Sequence, residues 1–275
     1  MLTPSSVKEK IDSIAAKLPQ FKFAPELLAK FSDSEEDRLF LSYVNGVGGG
    51  YVKFLYLLVK ELGLKKAVEL GNREGLSTLS IYGGLPADGK FITIDLVKDQ
   101  RYCPEAMFKD QRVEFVFGDV CDLSIFKNGV PLDIDFLFTD TIHFDFQLRD
   151  EFEIYQHLLA DRALIAIDDI NLNDKRKLFD ELPFAKWDLT ELCHVSGWGL
   201  ILFERKEKLT AEERLLAAHR AAAKIWQRKY SEVFEKIEAI ESRRLKNRTL
   251  NFLKRHPALW QGTIRVKKSI NRWRG

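Results

Sequence analysis

A chain of 275 residues with 45% hydrophobic and 12% aromatic residues is globular and long enough for one α/β domain of ordinary size with additions at either end. No apolar run approaches the roughly 20 residues needed to span a bilayer, and Cys103, Cys121 and Cys193 are too widely spaced for a disulfide framework or a structural zinc site. The net charge of +2 hides an asymmetry: from Arg243 to Gly275 there are eleven Lys or Arg and no acid, so the rest of the chain carries −9.

The N-terminal residues lack the apolar core of a signal peptide, which predicts a cytoplasmic location. Residues 5–18 and 34–62 show helical spacing of apolar residues, the second run interrupted by a glycine-rich break at 45–50. Strand-like runs follow at 66–70, 91–95, 113–117, 134–139 and 163–167, separated by helical segments such as 76–83 and 146–159. Strands alternating with helices predict a parallel sheet covered on both faces. After a helix at 175–181, two further strands at 186–194 and 198–204 form a close hairpin across Val195, Ser196 and Gly197. Thr210 and Glu213 then make a capping box, and Trp226, Tyr230, Val233, Ile237 and Ile240 recur at intervals of four and three, as in a coiled-coil seam or a helix lying along a partner. Pro257 ends that helix. The expected fold is therefore α/β, a doubly wound and mostly parallel seven-stranded sheet, divided into an N-terminal helical cap (1–62), a sheet domain (63–206) and a C-terminal helical extension with a basic tail (207–275).

In such a sheet ligands bind outside the carboxyl ends of the strands, so polar residues there carry functional weight. The first strand runs through Glu69 into Gly71-Asn72-Arg73-Glu74-Gly75, where glycines let the chain turn tightly and a ligand approach the main chain, and Ser77 and Thr78 follow where they could satisfy the amides of the next helix. A dinucleotide loop would need glycine at the third and sixth positions of the turn, which hold Arg73 and Leu76. Asp95 ends the second strand, Asp119 follows the third, Asp140 follows the fourth, and Asp168 and Asp169 close the fifth. Three carboxylates from neighbouring strand ends repel one another unless a cation is present, and oxygen ligands suit Mg²⁺; the alternative is that Asp168 and Asp169 only cap backbone amides.

The Glu-x-Gly-x-x-x-Gly turn at 69–75 and the ordered acids resemble the class I S-adenosylmethionine-dependent methyltransferases over residues 40–205, and the Asp140, Asp168-Asp169 layout resembles their metal-dependent sugar and small-molecule O-methyltransferases. The resemblance implies cofactor contacts from Glu69, Gly71, Asn72, Gly75, Ser77, Asp95, Asp119 and Asp140, a Mg²⁺ site at Asp140, Asp168 and Asp169, and methyl transfer to a hydroxyl of a sugar or lipid-linked glycan in polysaccharide biosynthesis. An alkyl hydroxyl must lose its proton to attack, and His143, three residues after Asp140, is the candidate base beside it. The chain departs from the family at Ile142, where sugar O-methyltransferases keep a second Asp, and His143 could equally be a hydrogen-bonded loop residue.

The tail carries Leu259, Trp260, Ile264, Val266, Ile270 and Trp273 among its cations, a pattern that fits an anionic membrane surface; nucleic acid and a merely solvated end are the other readings. Nucleic acid is disfavoured by the acidic sheet domain. The expected partners are a glycan acceptor, a second copy of the chain through the C-terminal helix, and the inner face of a membrane. Two alternatives stand beside the enzyme: a catalytically silent scaffold subunit of a glycan-assembly complex, motivated by Ile142, and an RNA-modifying methyltransferase that clamps RNA with its tail.

Overall fold

The computed structural model describes residues 2–23 and 50–255, without the side chains of 234 and 244–255. The predicted helix at 34–49, the glycine break at 45–49, Pro257 and the tail beyond 255 lie outside the described residues.

Helix α1 (Pro4–Lys17) starts where Thr3 and Ser6 exchange hydrogen bonds, Ser6 N–H to Thr3 Oγ1 at 3.1 Å and Thr3 N–H to Ser6 Oγ at 2.9 Å, with Pro4 in the first turn. Val7, Ile11 and Ile14 form its buried stripe. Helix α2 (Gly50–Leu62) is buried from Val52 to Val59, because it lies between α1 and the sheet rather than on the surface.

The sheet contains β1 (Lys66–Leu70), β2 (Lys90–Asp95), β3 (Val113–Phe117), β4 (Ile134–Thr139), β5 (Leu159–Asp168), β6 (Ala185–Asp188) and β7 (Trp198–Glu204), in the order β3-β2-β1-β4-β5-β7-β6. The first five strands are parallel; β7 runs antiparallel to both β5 and β6. The connecting helices are α3 (Leu76–Gly84), α4 (Glu105–Lys109), α5 (Asp145–Tyr155) and α6 (Lys175–Glu181). β1, β4 and β5 read as near-continuous apolar runs because both of their faces are covered.

Two details differ from the sequence reading. Strand β5 begins at Leu159, since Asp161 and Arg162 belong to its exposed end, where Arg162 meets Glu204 of β7 at 3.0 Å. Strand β6 stops at Asp188, which accepts the Thr190 amide at 3.0 Å, so residues 189–197 form a long connection rather than a close hairpin.

Helix α7 (Ala211–Arg255) opens on the Thr210–Glu213 capping box, with Thr210 N–H to Glu213 Oε2 at 2.8 Å and Glu213 N–H to Thr210 Oγ1 at 3.2 Å. Buried Arg214 donates to the Leu159 carbonyl at 2.9 Å and to Asp133 at 2.6 Å, which ties the first turns to the base of β4 and β5.

The chain divides into two compact units, residues 1–223 and 224–275. The N-terminal helices share one core with the sheet: Val7, Ile11 and Ile14 join Phe54, Leu58, Phe138 and Trp198 in the same cluster, with Phe54 and Trp198 ring centres 5.4 Å apart. In the second unit, Trp226, Tyr230, Val233, Ile237 and Ile240 are all exposed. No helix among the described residues is long and apolar enough to cross a membrane.

Candidate active site

Parallel pairing sets Leu70 opposite Ile94 and Thr139, and Thr139 opposite Ile167, so the turns after β1, β2, β4 and β5 open on one edge of the sheet. Because β7 is antiparallel, the segment that precedes it reaches the same edge.

The turn after β1 is held by its own backbone and by Asp95. Gly71 has φ +85° and donates to the Ile94 carbonyl at 2.8 Å; Gly75 has φ +95° and donates to the Asn72 carbonyl at 2.7 Å. A Cβ at Gly71 would stand 2.3 Å from the Asp140 carbonyl oxygen, so this glycine also lets the β1 and β4 turns approach each other. Asp95 Oδ2 accepts the amides of Asn72 and Arg73, each at 2.8 Å, and Oδ1 accepts the Val97 amide at 2.9 Å. A carboxylate has about four acceptor positions, so Asp95 staples the turn and keeps room for a further donor.

Glu69, Asn72 and Ser77, three of the residues expected to touch a cofactor, lie buried beneath the turn. Glu69 Oε2 accepts Thr78 Oγ1 at 2.7 Å and Thr93 Oγ1 at 2.5 Å, while Oε1 has no hydrogen-bond partner. Burial raises this carboxyl to about 7 against the opposing hydrogen bonds from Thr78 and Thr93. Asn72 bridges Thr93 at 2.9 Å and Gln100 at 3.1 Å. Thr78 therefore serves Glu69, and neither it nor Ser77 caps α3, whose N-cap is Gly75 without a side-chain bond. Asp119 Oδ1 accepts the Cys121 amide at 2.9 Å after β3.

The second half of the site is a cluster of acids and imidazoles. Asp140 donates its amide to the Leu70 carbonyl at 2.8 Å. Its side chain is 27% exposed; burial, and then the charge of Asp168, push its carboxyl well above the ordinary carboxylate range, with Lys175 opposing. Asp169 has φ +54°, an unusual backbone for a residue with a side chain, and this turns its carboxylate back toward both histidines. Burial and Asp168 also raise Asp169, while His143, His194 and Lys175 lower it.

Among the described residues, two groups of three have donor atoms within 4.8 Å of one another: Asp140, His143 and Asp169, and Asp168, Asp169 and His194. The expected triple of Asp140, Asp168 and Asp169 is not such a group. His143 Nδ1 lies 3.3 Å from Asp169 Oδ2 and 3.9 Å from Asp140 Oδ1, and it makes no hydrogen bond although the atom is buried. His194 Nε2 donates to Asp168 Oδ1 at 2.7 Å and packs edge-on against Tyr51, with ring centres 5.1 Å apart. Burial alone would lower the His194 imidazole, but the hydrogen bond and charge of Asp168 hold it above its ordinary value.

Three residues of this region were not picked out by the sequence reading. His194 was assigned to the end of a strand, and only the antiparallel course of β7 brings it to the acids. Lys175, 1% exposed, folds back from the first turn of α6 to donate to the Asp168 carbonyl at 2.5 Å. Glu151, also buried, accepts Thr139 Oγ1 at 2.6 Å, Thr141 Oγ1 at 2.5 Å and Gln147 Nε2 at 2.9 Å, and so clamps the residues on either side of Asp140. The residue types carry a faint signal, a cation and a carboxylate inside otherwise amphipathic helices, but nothing local marks them as buried.

Leu96, Val97, Phe117, Ile142, Phe144, Phe146, Leu172 and Val195 are large exposed hydrophobics on the segments that open on this edge, and Phe144 stacks on Phe146 with ring centres 5.6 Å apart. A glycine turn with an acid at the next strand end, facing a carboxylate–imidazole cluster under an apolar rim, makes the carboxyl edge of this doubly wound sheet the candidate site.

Comparison with known proteins identifies the class. Residues 39–181, just over half of the chain, match the O-methyltransferase family, and the chain belongs to that family of class I S-adenosylmethionine-dependent proteins. A curated relative from Dictyostelium discoideum, named "Probable caffeoyl-CoA O-methyltransferase 3", is 31% identical over 132 residues, 44% of this chain and 50% of that protein. The chain thus spans about half the length of this relative. Its fold is that of a methyltransferase from Geobacter sulfurreducens (TM-score 0.51, 21% identity, covering 70% of this chain and 96% of that one). It is also that of an SAH-bound methyltransferase from Podospora anserina (TM-score 0.51, 15% identity, covering 72% and 96%).

Proposed function

We propose that the protein transfers a methyl group from S-adenosylmethionine to a hydroxyl of a small-molecule acceptor. The observation that carries this reading is the meeting, on one sheet edge, of the Gly71–Gly75 turn stapled by Asp95 with the Asp140–His143–Asp169 cluster. The turn and Asp95 would hold the cofactor, with Asp119 on the side where the resemblance sets its base. S-adenosylmethionine would supply an electrophilic methyl group there, which the acceptor oxygen would take with departure of a neutral thioether. The hydroxyl proton goes to the cluster. Asp140 and His143, whose Oδ1 and Nδ1 lie 3.9 Å apart, are the two candidate bases. A divalent cation bound by Asp140 and Asp169, with Asp168 behind them, would lower the pKa of the acceptor hydroxyl.

The carboxylate order suggested a sugar acceptor. The apolar rim favours a second reading, a hydroxyl on a planar aromatic scaffold, since Ile142 stands where a sugar enzyme keeps an acid and Phe144 and Phe146 flank it with exposed rings. The name of the Dictyostelium relative points to the same acceptor class. A screen with methyl-labelled cofactor against catechols, phenolic thioesters and free and lipid-linked sugars separates the two. Label in the phenols alone supports the aromatic reading, label in the sugars alone restores the first, and no transfer alongside measurable cofactor binding points to the scaffold alternative.

We also read the exposed stripe from Trp226 to Ile240 as a self-association seam and the basic tail as a contact for an anionic surface. Sedimentation velocity of the full chain should show an oligomer that Ile237→Glu dissociates. Flotation with anionic but not neutral vesicles should capture the wild type; a monomer in the first assay, or equal partitioning in the second, removes the corresponding reading.

A further inference from the structure

Of the two donor groups on the site's edge, one is chemically complete and the other is not. His194 Nε2 and Asp168 Oδ1 form a hydrogen bond of 2.7 Å, so that imidazole is satisfied and serves to orient Asp168. His143 Nδ1 is buried without a hydrogen bond, yet it points at two carboxylate oxygens, 3.3 Å away on Asp169 and 3.9 Å away on Asp140. Donors sharing one ion at bond lengths of about 2.1 Å stand about 3.0 to 3.4 Å apart; the His143–Asp169 pair already has that spacing, and the His143–Asp140 pair would close by about 0.5 to 0.9 Å.

We propose that His143 is a metal ligand, and that with Asp140 Oδ1 and Asp169 Oδ2 it forms a mixed nitrogen–oxygen site selective for Mn²⁺, Co²⁺ or Zn²⁺ over Mg²⁺. The inference rests on the reading of this cluster as a divalent-cation site and changes what that site prefers: three carboxylates would suit a hard ion, whereas one imidazole shifts the preference toward ions that accept nitrogen. It also gives the unusual backbone of Asp169 a purpose, because φ +54° is what aims Oδ2 at His143.

The test is Mn²⁺ binding to the full chain, followed by calorimetry and by electron spin-echo modulation, which detects a nitrogen bonded to the ion without requiring turnover. Wild type should bind Mn²⁺ at least tenfold more tightly than Mg²⁺ and show nitrogen modulation. His143→Asn should abolish the modulation and weaken Mn²⁺ at least tenfold, with Mg²⁺ affinity little changed, while His194→Asn should keep the modulation. Mn²⁺ binding without nitrogen modulation, or modulation lost only in His194→Asn, overturns the assignment of His143 and leaves the cation reading intact. Absence of binding by any of these ions, with the circular dichroism of the folded protein preserved, overturns both.

Discussion

Replacing Asp140 with asparagine should reduce methyl transfer by about a hundred- to ten-thousand-fold and leave the folded protein as stable as before or more stable by about 1 kcal/mol. The two effects have one origin. Asp140 is partly buried beside Asp168, with Asp169 and Glu69 contributing further repulsion, and Lys175 only partly compensates. An amide keeps the shape and one acceptor oxygen, removes the repelling charge, and loses the basicity and anionic ligand that the reaction needs. Steady-state kinetics with a competent acceptor read the first effect, and thermal unfolding of the same preparation reads the second. A fall of several degrees in melting temperature together with unchanged turnover would make Asp140 a structural residue instead.

Lys175→Met should cost about 3 to 5 kcal/mol, because it leaves a buried group of carboxylates without the ammonium that faces them. Lys175 Nζ donates to the Asp168 carbonyl, and its charge lowers Asp140, Asp169 and Glu151 toward their ordinary values. Methionine fills similar space, so the loss is electrostatic rather than a cavity. The deficit should therefore depend on pH. Burial raises all three acids, and the charge of Asp168 raises Asp140 and Asp169 further, so lowering the pH protonates them and removes the charge that Lys175 offsets. Urea unfolding at pH 5 and pH 8 checks this: the variant should lose more stability at pH 8, and an equal loss at both would point to packing as the cause.

Much of the fold was legible because it rests on local patterns. The apolar runs of β1, β3, β4 and β7 ended where the strands end, and Thr210 with Glu213 marked the start of α7. The misreadings came where a distant partner overrode a local rule. Polar Asp161 and Arg162 looked like a break before β5, but pairing with Glu204 extends the strand through them. Thr78 looked like a cap, but a buried Glu69 captures its hydroxyl, since a carboxylate inside the protein needs donors more than a helix end does. The site divided in the same way. The acids at the strand ends were visible in order, whereas Lys175, Glu151 and His194 became part of it only through tertiary contacts.

The sequence by itself determined the alternation of strands and helices, the glycine turn after β1, and the order of Asp95, Asp119, Asp140, Asp168 and Asp169, because each depends on residues adjacent in the chain and a parallel sheet gathers successive strand ends on one edge. Only the tertiary structure decided which of those groups face one another. The left-handed backbone of Asp169, the reversed course of β7 that delivers His194, and the long reach of Lys175 set the carboxylates against two imidazoles and an ammonium. Those pairings depend on side-chain direction and on contacts between distant segments, which no local pattern encodes.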